Sequence, residues 1–291
     1  MTAFVVKIIA IVCMLIDHVG AIFPGTPDWF RLIGRIAFPI YAYFIAEGCI
    51  HTKNIEKYLL RLGIFALISQ VPFALAFNYP GLSAVTVSAM LASVSFLHFT
   101  NVFYSLFLAV ACITIYIKLQ RKSNKLFAFI PLVIMIPIAF LLWREYLLPV
   151  IAIYSAAVLV LSLSLPEDRS GKEPGIGDKI LALIPALPVV LLGDLLSTDY
   201  GTFAVVLILF LYLVQTKVMR LAVLALGVAF LYGVAHSSLI HMGFAFIAVV
   251  ILYFYNGRRG ISMKWFFYWF YPVHLAVLAG IWMLLYLPPV I

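Results

Sequence analysis

Charge is what this sequence has least of. Asp, Glu, Lys and Arg make up 10% of its 291 residues, and eleven of them are acids, where an average soluble domain carries roughly a quarter. Hydrophobic residues reach 66% and the mean hydropathy is +1.16, so a soluble fold has no means of hiding the apolar surface. Cysteine is equally sparse. Cys13, Cys49 and Cys112 each sit inside an apolar run, without CxxC spacing or a companion cluster, which argues against disulfides and zinc and leaves three buried, inert thiols. Strict apolar–polar alternation is missing too, which excludes a transmembrane β-barrel. No RNA- or DNA-binding motif stands out, so the pI near 9.4 needs an explanation other than nucleic acid.

What is present is a succession of apolar runs of about 20 residues, each long enough to cross roughly 30 Å of hydrocarbon as a helix. The fold class is therefore all-α: a polytopic membrane helical bundle over residues 1–291, read as a single transmembrane domain. Charged or Pro/Gly-rich breaks predict eleven spans, at about 3–23, 30–51, 57–78, 96–118, 126–143, 146–165, 179–197, 201–217, 219–235, 238–256 and 265–287. The apolar, Ser-rich stretch from Gly81 to His98 reads as an extra short helix, a re-entrant piece or an extension of the fourth span. The first run has a basic residue, Lys7, ahead of it as a signal peptide would. Asp17 and His18 interrupt it, however, and no small-x-small cleavage pattern follows, so it is expected to remain in the mature protein.

Orientation follows from the cations. With eleven spans, Lys7, Lys53, Lys57, Arg61, Lys118, Arg121, Lys122, Lys125, Arg169, Lys172, Lys179, Lys217, Arg220, Arg258, Arg259 and Lys264 fall on one side, and Arg31, Arg35 and Arg144 on the other. Positive residues favour the cytoplasmic face, so the N-terminus is expected inside and the C-terminus outside, in a cytoplasmic (inner) membrane. The same bias accounts for the basic pI through contact with the membrane surface.

Ionisable side chains near the bilayer centre cost about 2.5–3.5 kcal/mol on insertion scales, so each invites a functional reading. In the first span Asp17 and His18 fall in the outer half, His18 about 7 Å beyond the midpoint near Cys13. Adjacent helical residues point about 100° apart, so Asp17 needs a partner other than His18. Arg31 and Arg35, at i and i+4 on the second span ahead of Pro39, supply one, and an Asp17–Arg35 contact is expected. Glu47 and His51 repeat the i, i+4 spacing toward the cytoplasmic end. His51, Thr52, Lys53, Asn54, Lys57 and Arg61 then gather cations and amides suited to a phosphorylated ligand, although an ordinary positive-inside anchor looks the same. Further polar intruders are Gln70 before Pro72, Asp194, Asp199 and His274. A lone buried histidine such as His274 is more often structural than catalytic, and the run Tyr268, Trp269, Tyr271 reads as interfacial belt or pocket wall. His236 and His241 read as an external turn without the carboxylate or cysteine a metal site would add.

Met14-Leu15-Ile16-Asp17-His18, Gly34-Arg35-Ile36-Ala37-Phe38-Pro39, Glu47-Gly48, His51-Thr52-Lys53-Asn54, Lys57-Tyr58-Leu59-Leu60-Arg61-Leu62 and Ser69-Gln70-Val71-Pro72-Phe73 together resemble the TraX family. That family is named for the protein that acetylates the N-terminus of F pilin. It resembles in turn a wider group of transmembrane acyltransferases that includes heparan-alpha-glucosaminide N-acetyltransferase. The match covers about residues 8 to 77, with weaker echoes at Asn101-Val102, Asp199-Tyr200-Gly201 and Tyr268 to His274, and extra sequence between residues 79 and 98. The resemblance implies a cytoplasmic acetyl-CoA donor and an acceptor at or beyond the outer face: a peptide amine, a glycan or a lipid headgroup of the cell envelope. His18 would be the general base or the acetyl-carrying nucleophile, with Asp17, Arg35 and Glu47 orienting groups or stabilising charge. His51, Lys53, Asn54, Lys57 and Arg61 would receive the CoA phosphates, while Arg31, Asp199, Tyr200 and His274 would line the acceptor pocket. No metal is expected. Without the resemblance, a proton-coupled or small-solute transporter explains embedded Asp, Glu and His equally well, although no inverted repeat is evident. A non-enzymatic scaffold leaves the embedded charges unexplained.

Overall fold

Apolar runs with internal hydrogen bonding have one economical solution in lipid, the helix, and the described residues of the computed structural model are mostly helical. It describes residues 1–78, 101–122, 125–131, 133–134, 147–164 and 173–286, and no strand occurs among them. In chain order the α-helices are α1 (Ala3–Ile22), α2 (Trp29–Gly34), α3 (Ala37–His51), α4 (Ile55–Asn78), α5 (Val102–Gln120), α6 (Leu147–Ser164), α7 (Ile176–Leu183) and α8 (Pro188–Leu195). They continue with α9 (Gly201–Leu213), α10 (Lys217–Val228), α11 (Leu239–Tyr253) and α12 (Lys264–Tyr286).

Among the described residues, seven helical stretches are long and apolar enough to cross a membrane: Ala3–Ile22, Trp29–His51, Ile55–Phe77, Val102–Gln120, Ile176–Leu195, Lys217–Ala235 and Lys264–Tyr286. Val150–Ser164, Gly201–Leu213 and Leu239–Tyr253 are shorter apolar helices. Ten of the eleven expected spans thus have a helical counterpart among the described residues. The remaining one, 126–143, falls mostly outside them, as does the extra sequence at 79–98. The chain is a multi-pass helical membrane protein.

Proline chemistry explains where the spans break. Pro39 has no N–H and its ring crowds the carbonyl four residues back, that of Arg35, and the second span opens there: Arg35 and Ile36 bond three residues back, to Leu32 and Ile33. Pro185 and Pro188 likewise divide the span 176–195 with a 3-10 turn, Ile184–Ala186. The irregular ladder leaves carbonyls that must be satisfied in an apolar setting. The Tyr154 hydroxyl donates to Pro185 O at 2.9 Å and the Cys112 thiol to Ala186 O at 3.4 Å.

The described residues of Met1–Glu47, Ile64–Leu97 and Leu213–Ile291 form one compact unit, and those of Gly48–Gly63 and His98–Tyr212 form a second. In the first, α12 turns Phe266, Trp269, Val273, Val277, Ile281 and Leu284 outward and Tyr271, His274, Leu275, Leu278 and Trp282 inward. The outward stripe is apolar because its solvent is lipid, and the inward one holds the polar group. The same unit is tied together at one end. Ala3 and Phe4 N–H donate to the carbonyls of Arg258 and Arg259, the Met1 ammonium donates to Phe254 O at 2.7 Å, and Lys217 Nζ donates to Tyr253 O and Tyr255 O. Two cations therefore neutralise the carbonyl end of α11, and Met1, Lys217, Arg258 and Arg259, which the charge count puts on one side, do sit together. In the second unit the buried face of α5, including Ala109, Cys112, Ile113 and Leu119, packs among α6, α7 and α8.

Candidate functional site

Two consecutive residues of α1 face different neighbours, as helical geometry requires. Asp17 faces α2. Its Oδ2 accepts from Arg31 Nη1 at 2.7 Å and its Oδ1 from Arg35 Nη2 at 2.9 Å, so the expected Asp17–Arg35 contact is present and Arg31 joins it. Arg31 Nη1 also donates to Asp17 O, and Arg35 Nε to Arg31 O. Gly34 makes room: a Cβ there would overlap the Asp17 carboxylate, and one at Gly20 would lie 2.6 Å from Phe30 Cβ. Small residues thus let α1 and α2 approach closely enough for the ion pairs to form. One carboxylate thus holds two guanidiniums at this end of the unit.

His18 faces α12. Its Nδ1 lies 2.6 Å from His274 Nε2, and His274 Nδ1 lies 2.7 Å from the Phe270 carbonyl oxygen one turn earlier. The two imidazole planes are 5° apart with centroids 4.9 Å apart. That separation is what two rings reach when joined edge to edge through a 2.6 Å N···N contact, so the rings share a plane and the hydrogen bond between them is linear. Phe77 and Tyr271 stand edge-on to His18, and Phe270 lies nearly parallel to His274. Both histidines are buried.

A second polar layer crosses the same unit nearer the Met1 end. Glu47 Oε2 accepts from Arg220 Nη1 at 2.6 Å, both side chains being largely buried, and Arg220 Nε donates to Val214 O. Lys7 Nζ lies 4.8 Å from the centre of the Phe44 ring and 5.5 Å from that of Phe267. Lys7 and His18 are eleven residues apart on α1, about 16 Å at about 1.5 Å per residue. The sequence shows Arg220 only as one of the cations counted on the cytoplasmic side. An acid as deep as Glu47 requires a cation, and that requirement was the available signal for Arg220.

The structure therefore gathers Asp17, His18, Arg31, Arg35 and His274 at one end of the first unit and sets Glu47 toward the other. His236 and His241 flank the turn between α10 and α11. The last turns before it widen into a π-helix, Ala229–Ala235, His236 Nδ1 bonds Leu231 O, and Ser238 Oγ lies 2.6 Å from His241 Nδ1.

The remaining expected site residues belong to the second unit. His51 ends α3, and Asn54 Oδ1 accepts from Lys57 N at 2.8 Å, capping α4. Asn54 thus has a structural duty that the sequence reading did not assign it. Lys53 and Lys57 are exposed beside this positive helix end, and Arg61 lies 5.8 Å from the Tyr58 ring. Glu56, in the same turn, pairs with Lys118 at 2.6 Å. Asp199 is exposed and Tyr200 half-buried in the turn before α9. That turn is held by Asp194, whose Oδ1 accepts from Thr202 N at 2.7 Å, and it needs Gly201 at φ +52°. Among the described residues, no group of three or more His, Cys, Asp or Glu converges as metal ligands would.

Fold and site together define a polytopic helical membrane protein with ionisable groups enclosed within its spans. The sequence profile described as "TraX protein" matches residues 3–169 and 176–282, and the chain belongs to the TraX family. It is 27% identical over 285 residues to the "Probable fimbrial assembly protein FimC, serogroup H1" of Dichelobacter nodosus, an alignment covering 96% of this chain and 95% of that protein. No solved structure matches the chain.

Proposed function

We propose that the chain is an integral acetyltransferase of the cytoplasmic membrane, moving acetyl from cytoplasmic acetyl-CoA to an amine or hydroxyl acceptor at or beyond the outer face. Membership of a family named for F pilin acetylation supports this reading, and the name of the Dichelobacter relative favours a pilus or fimbrial subunit as acceptor over an envelope glycan or lipid headgroup. The observation that carries the proposal is the buried His18–His274 pair beside a carboxylate held by two arginines. Such a pair supplies a base or nucleophile away from water, and the guanidiniums supply positive charge for an oxyanion. Lys53, Lys57 and Arg61, with His51, offer charge for the CoA phosphates. Glu47, held by Arg220, serves to fix its helix rather than to react.

The two polar layers on one bundle also suit a second reading, a proton-coupled transporter. Purified protein in nanodiscs, given labelled acetyl-CoA with a pilin N-terminal peptide, an amino sugar or an aminophospholipid, is expected to release CoA and label one acceptor. The His18→Ala protein, equally well folded, is expected not to. Near-normal transfer by His18→Ala would remove His18 from the chemistry. Solute flux in vesicles with no acetyl transfer would favour the transporter.

A further inference from the structure

The hydrogen bonds around His274 fix which atom of His18 is free to react. A carbonyl oxygen only accepts, so the 2.7 Å contact with Phe270 O places a proton on His274 Nδ1. A neutral His274 then presents a bare lone pair at Nε2, 2.6 Å from His18 Nδ1 and in the plane of both rings. That lone pair demands a donor, so His18 carries its proton on Nδ1 and leaves Nε2 bare. The opposite arrangement needs a cationic His274, buried and with no carboxylate recorded against it among the described residues. Asp17 is already engaged by Arg31 and Arg35, and an added unpaired cation within the bilayer is costly.

We propose that His274 is the positioning and proton-accepting residue of His18: a Phe270 O···His274···His18 relay commits Nε2 of His18 as the reacting atom. The inference rests on the acetyltransferase reading for its chemistry, but not for its geometry. If His18 is the nucleophile, Nε2 forms a bond to the thioester carbonyl carbon, the C–S bond breaks, and CoA leaves as thiolate. The acetylated imidazolium passes its Nδ1 proton to His274 Nε2, leaving neutral acetyl-imidazole. When the acceptor takes the acetyl group, the proton returns to Nδ1 and His18 departs as neutral imidazole. The acceptor loses one proton and the thiolate gains one, which balances the transfer. If His18 is instead the base, Nε2 takes the acceptor's proton and the Nδ1 proton moves to the same His274 nitrogen. Either way a positive charge formed at His18 is shared with a second ring rather than left alone in a low-dielectric site.

Full-length protein in nanodiscs with ring-15N histidine reports the tautomer directly, because protonated and bare ring nitrogens resonate far apart, and His18→Ala identifies the His18 signals. His18 is expected to carry its proton on Nδ1 in the wild type and to lose that preference in His274→Leu. A proton on Nε2 in the wild type, or the same tautomer in both proteins, would overturn the proposal. His274→Gln, whose amide oxygen accepts from Nδ1–H but takes no proton, is expected to keep the wild-type tautomer while kcat falls about 100-fold and the KM for acetyl-CoA holds. Full kcat in that variant would overturn the proton-accepting role. The expected tautomers in a protein that transfers no acetyl would sustain the relay and sink the acetyltransferase reading, so the two fail separately.

Discussion

Asp17 accepts from two arginines that differ in exposure, 40% for the Arg31 side chain against 18% for that of Arg35. Solvent screens the first pair more than the second, so Arg35→Ala is expected to destabilise the protein by about 3 kcal/mol and Arg31→Ala by about 1 kcal/mol. Thermal unfolding in detergent measures both, and a larger loss for Arg31→Ala would contradict the assignment. At this scale much was legible beforehand. Asp17, His18, Arg31 and Arg35 stand out because a charge inside an apolar run is expensive, and the need of Asp17 for a cation pointed to the neighbouring helix. The joining of His18 to His274 was not legible. The two are 256 residues apart, and no periodicity carries information across that distance; a lone histidine in the last span looks structural until its neighbour is seen.

Glycine and proline set what the elements do. Gly34→Ala places a methyl where the Asp17 carboxylate sits, and overpacking of this kind typically costs about 1–3 kcal/mol. The variant is expected to melt earlier and to lose the Asp17–Arg35 pair, so that adding Asp17→Asn costs little more. Full additivity of the two changes would contradict the packing argument. Pro39→Ala is expected to close the break at residues 35 and 36 and draw Arg35 away from Asp17, with a similar loss of stability. The break before Pro39 could be anticipated because proline acts on a known carbonyl. The division of 176–195 was less visible: its prolines lie within an apolar run, and only Tyr154 and Cys112, supplied by other helices, show how the irregular backbone is satisfied. The π-helical turn at Ala229–Ala235 left no mark on composition, since widening a helix by one residue changes neither length nor hydropathy enough to read.

Across the whole chain, the positive-inside rule leads one to expect Met1, Lys53 and Arg259 on the cytoplasmic side and the turn holding His236 and Ser237 outside. In spheroplasts of a variant lacking Cys13, Cys49 and Cys112, an impermeant maleimide is expected to label Ser237→Cys at once and Lys53→Cys only after permeabilisation; the reverse would invert the topology. The first unit is also stitched by Glu47 and Arg220, 173 residues apart. Glu47→Gln is expected to destabilise by about 3 kcal/mol, and Glu47→Arg with Arg220→Glu to recover part of that loss. No recovery would mean the pair is incidental. Composition made the helical membrane class readable, because a chain this apolar has few other solutions, whereas the association of early and late spans into one unit depends on contacts that sequence order conceals.

The central claim, acetyl carried through the bundle by way of His18, is tested most directly by sidedness. Proteoliposomes preloaded with acceptor and given labelled acetyl-CoA only outside should accumulate acetylated acceptor in the lumen, and His18→Ala vesicles should not. Acetylated product confined to the donor side, or equal lumenal product from His18→Ala, would contradict it.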